Sequence, residues 1–515
     1  MSRVRWALFL GIFALCAWFA YLAVYQVDDA FIVYRYASNL ARGEGFVFNP
    51  GERVEGVTCF LWTLLLAPFA AAGLPLPVTA PILGACAGLL VVLLLPGLGA
   101  SLAGRAAPDA WDVTASILLA AHPAFAYWSV GGLETVAYTL LLVMSVRDLL
   151  AEQRRGTGRR SAVWMGLATL VRPEAPLIAG ALLAGRALDG PGRGWRGRLR
   201  DLGLWSATVA AFFLPFLLFR RLYFGGWLPN TYYARTGLGW VQRLHDGRVY
   251  TLSFLSSLAP GFGYHDLLTA AIGVAIVLGL LAYGLPRRGM RTLALLLCGL
   301  GLAVLLEGGD WMVLFRFWVP GLPAIALLLV AAVRGLVDEM PRLRPYAAVF
   351  GVVLVVSFLW SGFIERDGPN GLAVNAAGYR FAHLAVADYL KNHAHHGDTV
   401  ALMDIGMIGY ATGLRVLDIS GLTEPAIART PGGFLHKEYP VATLLDRSPR
   451  FFVLVNGFPI DEGIMRHPDF TRRYRLVLER NHRFNWTPPG SYTLHLFERL
   501  DGGAAPAQGP GSSGS

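Results

Sequence analysis

The chain has 515 residues, 55% hydrophobic and 15% charged, where a soluble domain carries about 25% charged residues; its mean hydropathy is +0.49. These values exclude a cytosolic enzyme, a disordered chain and a collagen-like fibre, and leave a polytopic membrane protein. The net charge of +10 would suit nucleic acid, but most arginines sit in short loops between apolar runs, where charge orients helices in a bilayer; no nucleic-acid partner is expected.

In chain order, the first apolar run is 6–25, behind Arg3 and Arg5. Its basic flank is like that of a secretion signal. The run is long enough to span and more spans follow, so it reads as a retained anchor with its N-terminus in the cytoplasm. A polar stretch, 28–58, follows. Apolar segments then fall at 59–73, 77–98, 110–127, 133–150, 162–171, 174–188, 203–220, 266–285, 291–306, 318–335 and 345–363. If 59–73 spans, the arginines at 154–160, 193–200 and 287–291 all face outward, against the positive-inside rule. If 59–73 lies in the interface or re-enters, those loops face the cytoplasm. Its end at Gly73-Leu74-Pro75-Leu76-Pro77 suits the second choice. The expectation is eleven spans, with the region after the last one outside the cytoplasm. From 365 to 500 the composition is that of a soluble α/β domain. Strands are expected at 400–403, 416–419, 451–455, 473–479 and 492–498, and a helix at 378–396. The Gly/Ser/Pro/Ala-rich end, 501–515, reads as a disordered tail.

This topology puts the unusual polar motifs on one membrane face. Asp28-Asp29 follows the first span directly, where an unused charge is costly. A short amphipathic helix is expected over 30–41, and Asp28 and Arg35, two turns apart, share one of its faces. Either carboxylate can take a proton from a sugar hydroxyl, or merely cap the helix. Glu134, in Gly131-Gly132-Leu133-Glu134-Thr135, can accept sugar hydroxyls or sit as a carboxylate at a helix start. Arg172-Pro173-Glu174 tips a helical hairpin: Arg172 can grip a phosphate, or pair with Glu174. Arg220 and Arg221 are the exception to the charge rule and so candidates for a role outside. Asn230, Tyr232 and Tyr233, after Leu228-Pro229, suit polyol recognition, though turn chemistry also explains Pro-Asn. Asp310 and Arg316 flank Trp311, Phe315, Phe317 and Trp318, a carbohydrate-like grouping or an interfacial aromatic belt. His393-Ala394-His395-His396 reads as a polar helix end rather than a metal site. The four cysteines, Cys16, Cys59, Cys86 and Cys298, form no CxxC pair, so no zinc site or disulfide framework is expected. Walker and GxSxG motifs are absent from the sequence.

Asp28-Asp29-Ala-Phe-Ile-Val-Tyr-Arg-Tyr followed by Gly45-Phe-Val-Phe-Asn-Pro-Gly-Glu-Arg-Val-Glu-Gly resembles the bacterial GT-C glycosyltransferases, in their arabinofuranosyltransferase-like branch. The Gly-Leu-Glu-Thr, Arg-Pro-Glu, Leu-Pro-Asn-Thr-Tyr-Tyr and Gly-Gly-Asp-Trp motifs, and the stretch Gly406 to Leu422, are similar to that branch too. The resemblance covers nearly the whole chain. It implies a GT-C fold with a juxtamembrane segment in the first outer loop, a bacterial inner-membrane location and a polyprenyl-phosphate sugar donor. It also implies an Asp base in the first outer loop, which maps onto Asp28 and Asp29. The remaining candidates for substrate binding are Arg35, Glu134, Arg172, Glu174, Asn230, Tyr232, Tyr233, Asp310 and Arg316. The expected reaction is a single inverting transfer, of D-arabinofuranose or another sugar such as mannose or aminoarabinose. The acceptor is a glycan, a lipid or a protein, and neither cofactor nor metal is expected. A transporter or flippase would place its site near the bilayer midplane and often shows internal repeats; a non-catalytic scaffold would tolerate loss of both aspartates.

Overall fold

The computed structural model describes residues 3–156, 158–190, 194–237, 239–258, 267–368, 371–482 and 492–500; the expected tail at 501–515 lies outside them. The described chain is a helical membrane protein carrying a small mixed sheet near its C-terminus. Helix α1 (Arg3–Leu22) leads into α2 (Asp28–Ala41), whose first turn holds Asp28 and Asp29. Carboxylates there complement the helix dipole. Helix α3 (Phe60–Ala71) has 12 residues, about 18 Å at the helical rise, too short for a straight crossing of a core about 30 Å thick.

The helices that follow are α4 (Leu76–Leu102), α5 (Ala110–Ala121), α6 (Pro123–Val130), α7 (Thr135–Arg155), α8 (Arg160–Thr169), α9 (Ala175–Asp189) and α10 (Trp195–Tyr223). Then come α11 (Asn230–Arg235), α12 (Trp240–Ser257), α13 (Leu267–Gly284) and α14 (Met290–Glu307). A 3-10 segment, Val313–Gly321, precedes α15 (Leu322–Glu339) and α16 (Arg344–Asp367). Among the described residues six helices are long and apolar enough to cross a membrane, or seven if α5 and α6, bent by 64° at His122-Pro123, make one crossing. Of the others in the expected eleven, α8 and α9 are shorter than those six and α7 is more polar, while α1 shows an apolar stretch at Leu10–Leu22.

The expected helix at 378–396 begins earlier, as α17 (Leu372–Gly378), passes through a π turn at Tyr379–His383 and continues as α18 (Leu384–His393). The sheet has strands β1 (Thr399–Leu402), β2 (Arg415–Asp418), β3 (Phe451–Val455), β4 (Tyr474–His482) and β5 (Tyr492–Arg499), in order β2-β1-β3-β5-β4. Strand β1 runs parallel to β2 and β3, while β5 is antiparallel to β3 and β4. The parallel strands are short apolar runs because both their faces are covered; β4, at the sheet edge, is exposed or half-buried between its two ends and shifts register between Leu476 and Leu478. Helix α19 (Ile405–Thr412) joins β1 to β2 and packs on α2, with Tyr410 against the rings of Phe31 and Tyr34.

Candidate active site

A cavity of about 550 Å³ lies between α2, the tips of the α6–α7 and α8–α9 connections, α10 to α12 and the end of α14. Three carboxylates face it, Asp29, Glu134 and Glu307, with five arginines, Arg172, Arg220, Arg235, Arg243 and Arg316. Its apolar side includes Phe213, Phe216, Trp227, Leu228 and Trp240.

The adjacent aspartates have different surroundings, because one residue is a rotation of about 100° on a helix. Asp29 faces the cavity and is half-buried. Burial pushes its carboxyl above the ordinary aspartate range; Arg316 and Arg235 pull the other way, and Asp310 and Glu134 add to the rise. Asp28 is buried and turns away from the cavity: Oδ2 accepts from Gly406 N at 2.6 Å and Oδ1 from Met407 N at 2.8 Å. Arg35 is corrected as a substrate ligand. It is buried outside the cavity, donating to Phe48 O at 2.8 Å, Gly409 O at 2.6 Å, Leu414 O at 2.7 Å and Asn49 Oδ1 at 3.1 Å.

Most of the other charges meet each other. Arg172 donates to Glu134 at 3.0 Å and Glu174 at 2.8 Å, and its third nitrogen is 3.9 Å from Glu307. Its charge is more than matched by protein, so the Arg–Glu pair at the hairpin tip, not a phosphate grip, describes it. Glu134 fits there because Gly132, at φ +84°, lets the chain turn where a Cβ would strike the Tyr34 hydroxyl. Arg220 forks onto Glu55 at 2.7 and 3.0 Å, with both side chains nearly sealed from solvent. Arg316 pairs with Asp310 at 2.8 Å, between the faces of Trp128 and Phe317. Asp310 lines a second cavity of about 660 Å³ beyond that pair rather than the first. Leu314 and Phe315 hold φ of +57° and +50° just before Arg316. Such backbone costs on the order of 1–3 kcal/mol per residue and clusters at functional sites. Trp128 Nε1, donating to Leu314 O at 3.2 Å, and Phe317 N, donating to the Tyr250 hydroxyl at 3.2 Å, hold the turn.

In the Leu-Pro-Asn-Thr-Tyr-Tyr motif only part of the expected polyol set faces the cavity. Tyr232 lines it. Asn230 donates to Gly421 O and Leu422 O, both at 2.8 Å, and so ties α11 to the sheet unit, whose Leu422 closes one wall. Tyr233 lies under Arg429. His393 stacks on Tyr389 and His395 pairs with Asp398, and no group of three His, Cys, Asp or Glu among the described residues is placed to hold a metal ion.

Sequence reasoning missed Arg235, Arg243 and Glu307. Arg235 and Arg243 are the cavity arginines with no carboxylate partner within ion-pair distance among the described residues. Arg235 lies two residues beyond the motif singled out, and Arg243 sits on α12, whose mixed polarity hid it between apolar runs. Glu307 closes an apolar run, immediately before Gly308-Gly309.

A family described as a domain of unknown function (DUF8728) matches residues 372–497. The chain is 33% identical over 273 residues to the terminal β-(1→2)-arabinofuranosyltransferase of Mycobacterium tuberculosis, covering 49% of this chain and 42% of that one. It is 29% identical over 407 residues to the protein of that name from Corynebacterium glutamicum, covering 70% of this chain and 55% of that one. The chain thus spans about half the length of these relatives. Its fold is similar to that of ArnT from Cupriavidus metallidurans bound to undecaprenyl phosphate, with a TM-score of 0.60, 12% identity and coverage of 96% and 98% of the two chains.

Proposed function

We propose that this chain is a membrane glycosyltransferase that moves a sugar, D-arabinofuranose, from a polyprenyl monophosphate to an acceptor outside the cytoplasm. The observation that carries the reading is that Asp29, on the first helix after the anchor, faces a cavity with Arg235 and Arg243, which have no carboxylate partner within ion-pair distance among the described residues. The names of the two relatives support the sugar, and the lipid phosphate bound to the similarly folded ArnT supports the donor class. On this reading residues 1–364 carry the chemistry in a bacterial inner membrane, with the N-terminus inside. Residues 365–500 form a unit outside.

The Asp29 carboxylate takes the proton of the acceptor hydroxyl. The freed oxygen attacks the anomeric carbon from the face opposite the phosphate, the carbon–oxygen bond to phosphate breaks, and polyprenyl phosphate leaves with the bonding pair. Arg235 and Arg243 meet the charge that develops on the phosphate oxygens, a role in which arginine forks onto oxyanions. Arg316 favours the ionised form of Asp29, against the rise that burial causes. Tyr232 and the Arg172–Glu134–Glu307 group offer hydrogen bonds to sugar hydroxyls. Two arginines suffice in charge for a monophosphate leaving group, so the reaction is proposed to need no metal.

The test uses purified protein in nanodiscs with short-chain polyprenyl-phosphoryl arabinofuranose and simple arabinosides, and follows release of polyprenyl phosphate with and without EDTA. Wild type releases it in both conditions. Asp29→Asn, folded and able to bind donor, loses about 10²–10⁴-fold in kcat. Release only from mannose or aminoarabinose donors moves the sugar assignment and keeps the class. Donor that binds and crosses the bilayer without cleavage sinks the transferase reading in favour of a transporter.

A further inference from the structure

The motif running from Gly406 to Leu422 takes no part in the chemistry above, yet its first residues touch the neighbour of the proposed base. Helix α19 has eight residues, and α2 grips it at both ends. At the N-terminal end, both oxygens of Asp28 accept from the free amides of Gly406 and Met407. At the C-terminal end, Arg35 donates to Gly409 O and to Leu414 O just past it. The two helices therefore run side by side in the same sense. The Asp28 carboxyl meets the positive end of the α19 dipole and the Arg35 guanidinium its negative end. The approach is so close that glycine alone fits. A Cβ on Gly406 would lie 2.0 Å from Asp28 O and 2.6 Å from its Oδ2, and one on Gly409 2.9 Å from Arg35 Nη1. The same unit then closes the cavity wall with Leu422, held by Asn230.

We infer that Asp28 and Arg35 are positioning residues: a two-ended clamp on α19 that fixes the rotation of α2, so that Asp29 points into the cavity. The inference rests on Asp29 being the base. Asp28 is then held by two backbone amides and serves as a strut rather than a proton acceptor. A small misplacement of a reacting group by a remote change can cost about 10²-fold in rate, so loosening the clamp lowers kcat and spares donor binding.

The decisive variants approach the clamp from both sides. Asp28→Asn alters α2; Gly406→Ala alters α19, 378 residues away in sequence, and adds no atom to the cavity. Gly409→Ala is a milder third, and Gly463→Ala, with open space around it, is the control. Each is checked for monodispersity in detergent, for amide exchange at Gly406 and Met407, and for kcat, donor KM and pH profile. Asp28→Asn and Gly406→Ala are expected to lose protection at those amides and about 10 to 10²-fold in kcat, with donor KM within about threefold. Their residual activity still falls at low pH, because Asp29 remains the base. Gly409→Ala is expected to fold and lose less, and Gly463→Ala to match wild type. If Asp28→Asn and Gly406→Ala fold, lose amide protection and keep full kcat, the positioning role is overturned. If Asp28→Asn is as inert as Asp29→Asn and loses its acid limb while Gly406→Ala turns over normally, Asp28 is itself the base and the clamp is overturned. A wild type inert toward every donor overturns the transferase reading and with it the positioning of a base. Exchange then judges the contact alone: protection lost in Asp28→Asn keeps the clamp as a docking device, and protection unchanged overturns it.

Discussion

At the scale of single residues, the proposed role of Asp29 as base, with Asp28 turned away from the cavity, gives a pH prediction. A base must be ionised, so turnover rises with pH through the Asp29 pKa. Burial holds that carboxyl above its ordinary value of 3.8, while Arg316 and Arg235 limit the rise. The acid limb of kcat/KM is therefore expected above the range of a free aspartate. Arg235→Gln, which removes one of the opposing cations, should move it further up; a limb that stays put removes Arg235 from the field at Asp29. Arg243→Ala should cost about 10²–10³-fold in turnover if it meets the leaving phosphate, and release of polyprenyl phosphate measures it directly. The aspartate pair was legible in the sequence because two charges beside an anchor need a reason. Which of the two faces the cavity was not, because the group that covers Asp28 comes from the far end of the chain.

Among the elements, pairing rather than periodicity set what could be foreseen. The five strands were legible as short apolar or alternating runs, and α3 as a segment too short to span. Helix α12 was not, since its polar and apolar residues are mixed and no apolar run marks it. Nor were the ion pairs: Arg220 looked like a cation in want of a phosphate, and Glu55 lies 165 residues before it. That pair ties α10 to the loop after α2, and both partners are nearly sealed from solvent. Removing one partner of a buried pair typically costs about 3–5 kcal/mol, because the other charge stays uncompensated. Arg220→Ala is therefore expected to lower thermal stability in detergent by that amount. The double change Arg220→Met with Glu55→Leu should recover most of it. If the single variant unfolds at the wild-type temperature, Glu55 has found another partner.

For the whole molecule, the apolar helices and the sheet unit share the Asp29 cavity, since Leu422 of the sheet unit is part of its wall. A ligand that binds only the folded state stabilises it by mass action, by about 2.7 kcal/mol at a hundredfold excess over Kd. Polyprenyl monophosphate should raise the unfolding temperature with concentration, and should raise it less in Arg235→Gln and Arg243→Ala. An equal rise in all three would place the lipid phosphate elsewhere. The contact between Asp28 and Gly406 also has a meaning for biosynthesis. A ribosome makes α2 before helices α3 to α16 and reaches α19 only after them. On the proposed reading, a nascent or prematurely ended chain sits in the membrane with its donor cavity unwalled and its base unaimed. Competence then arrives in one late step, as α19 and the strands around it fold back onto α2, and fragments that stop before α19 are inert.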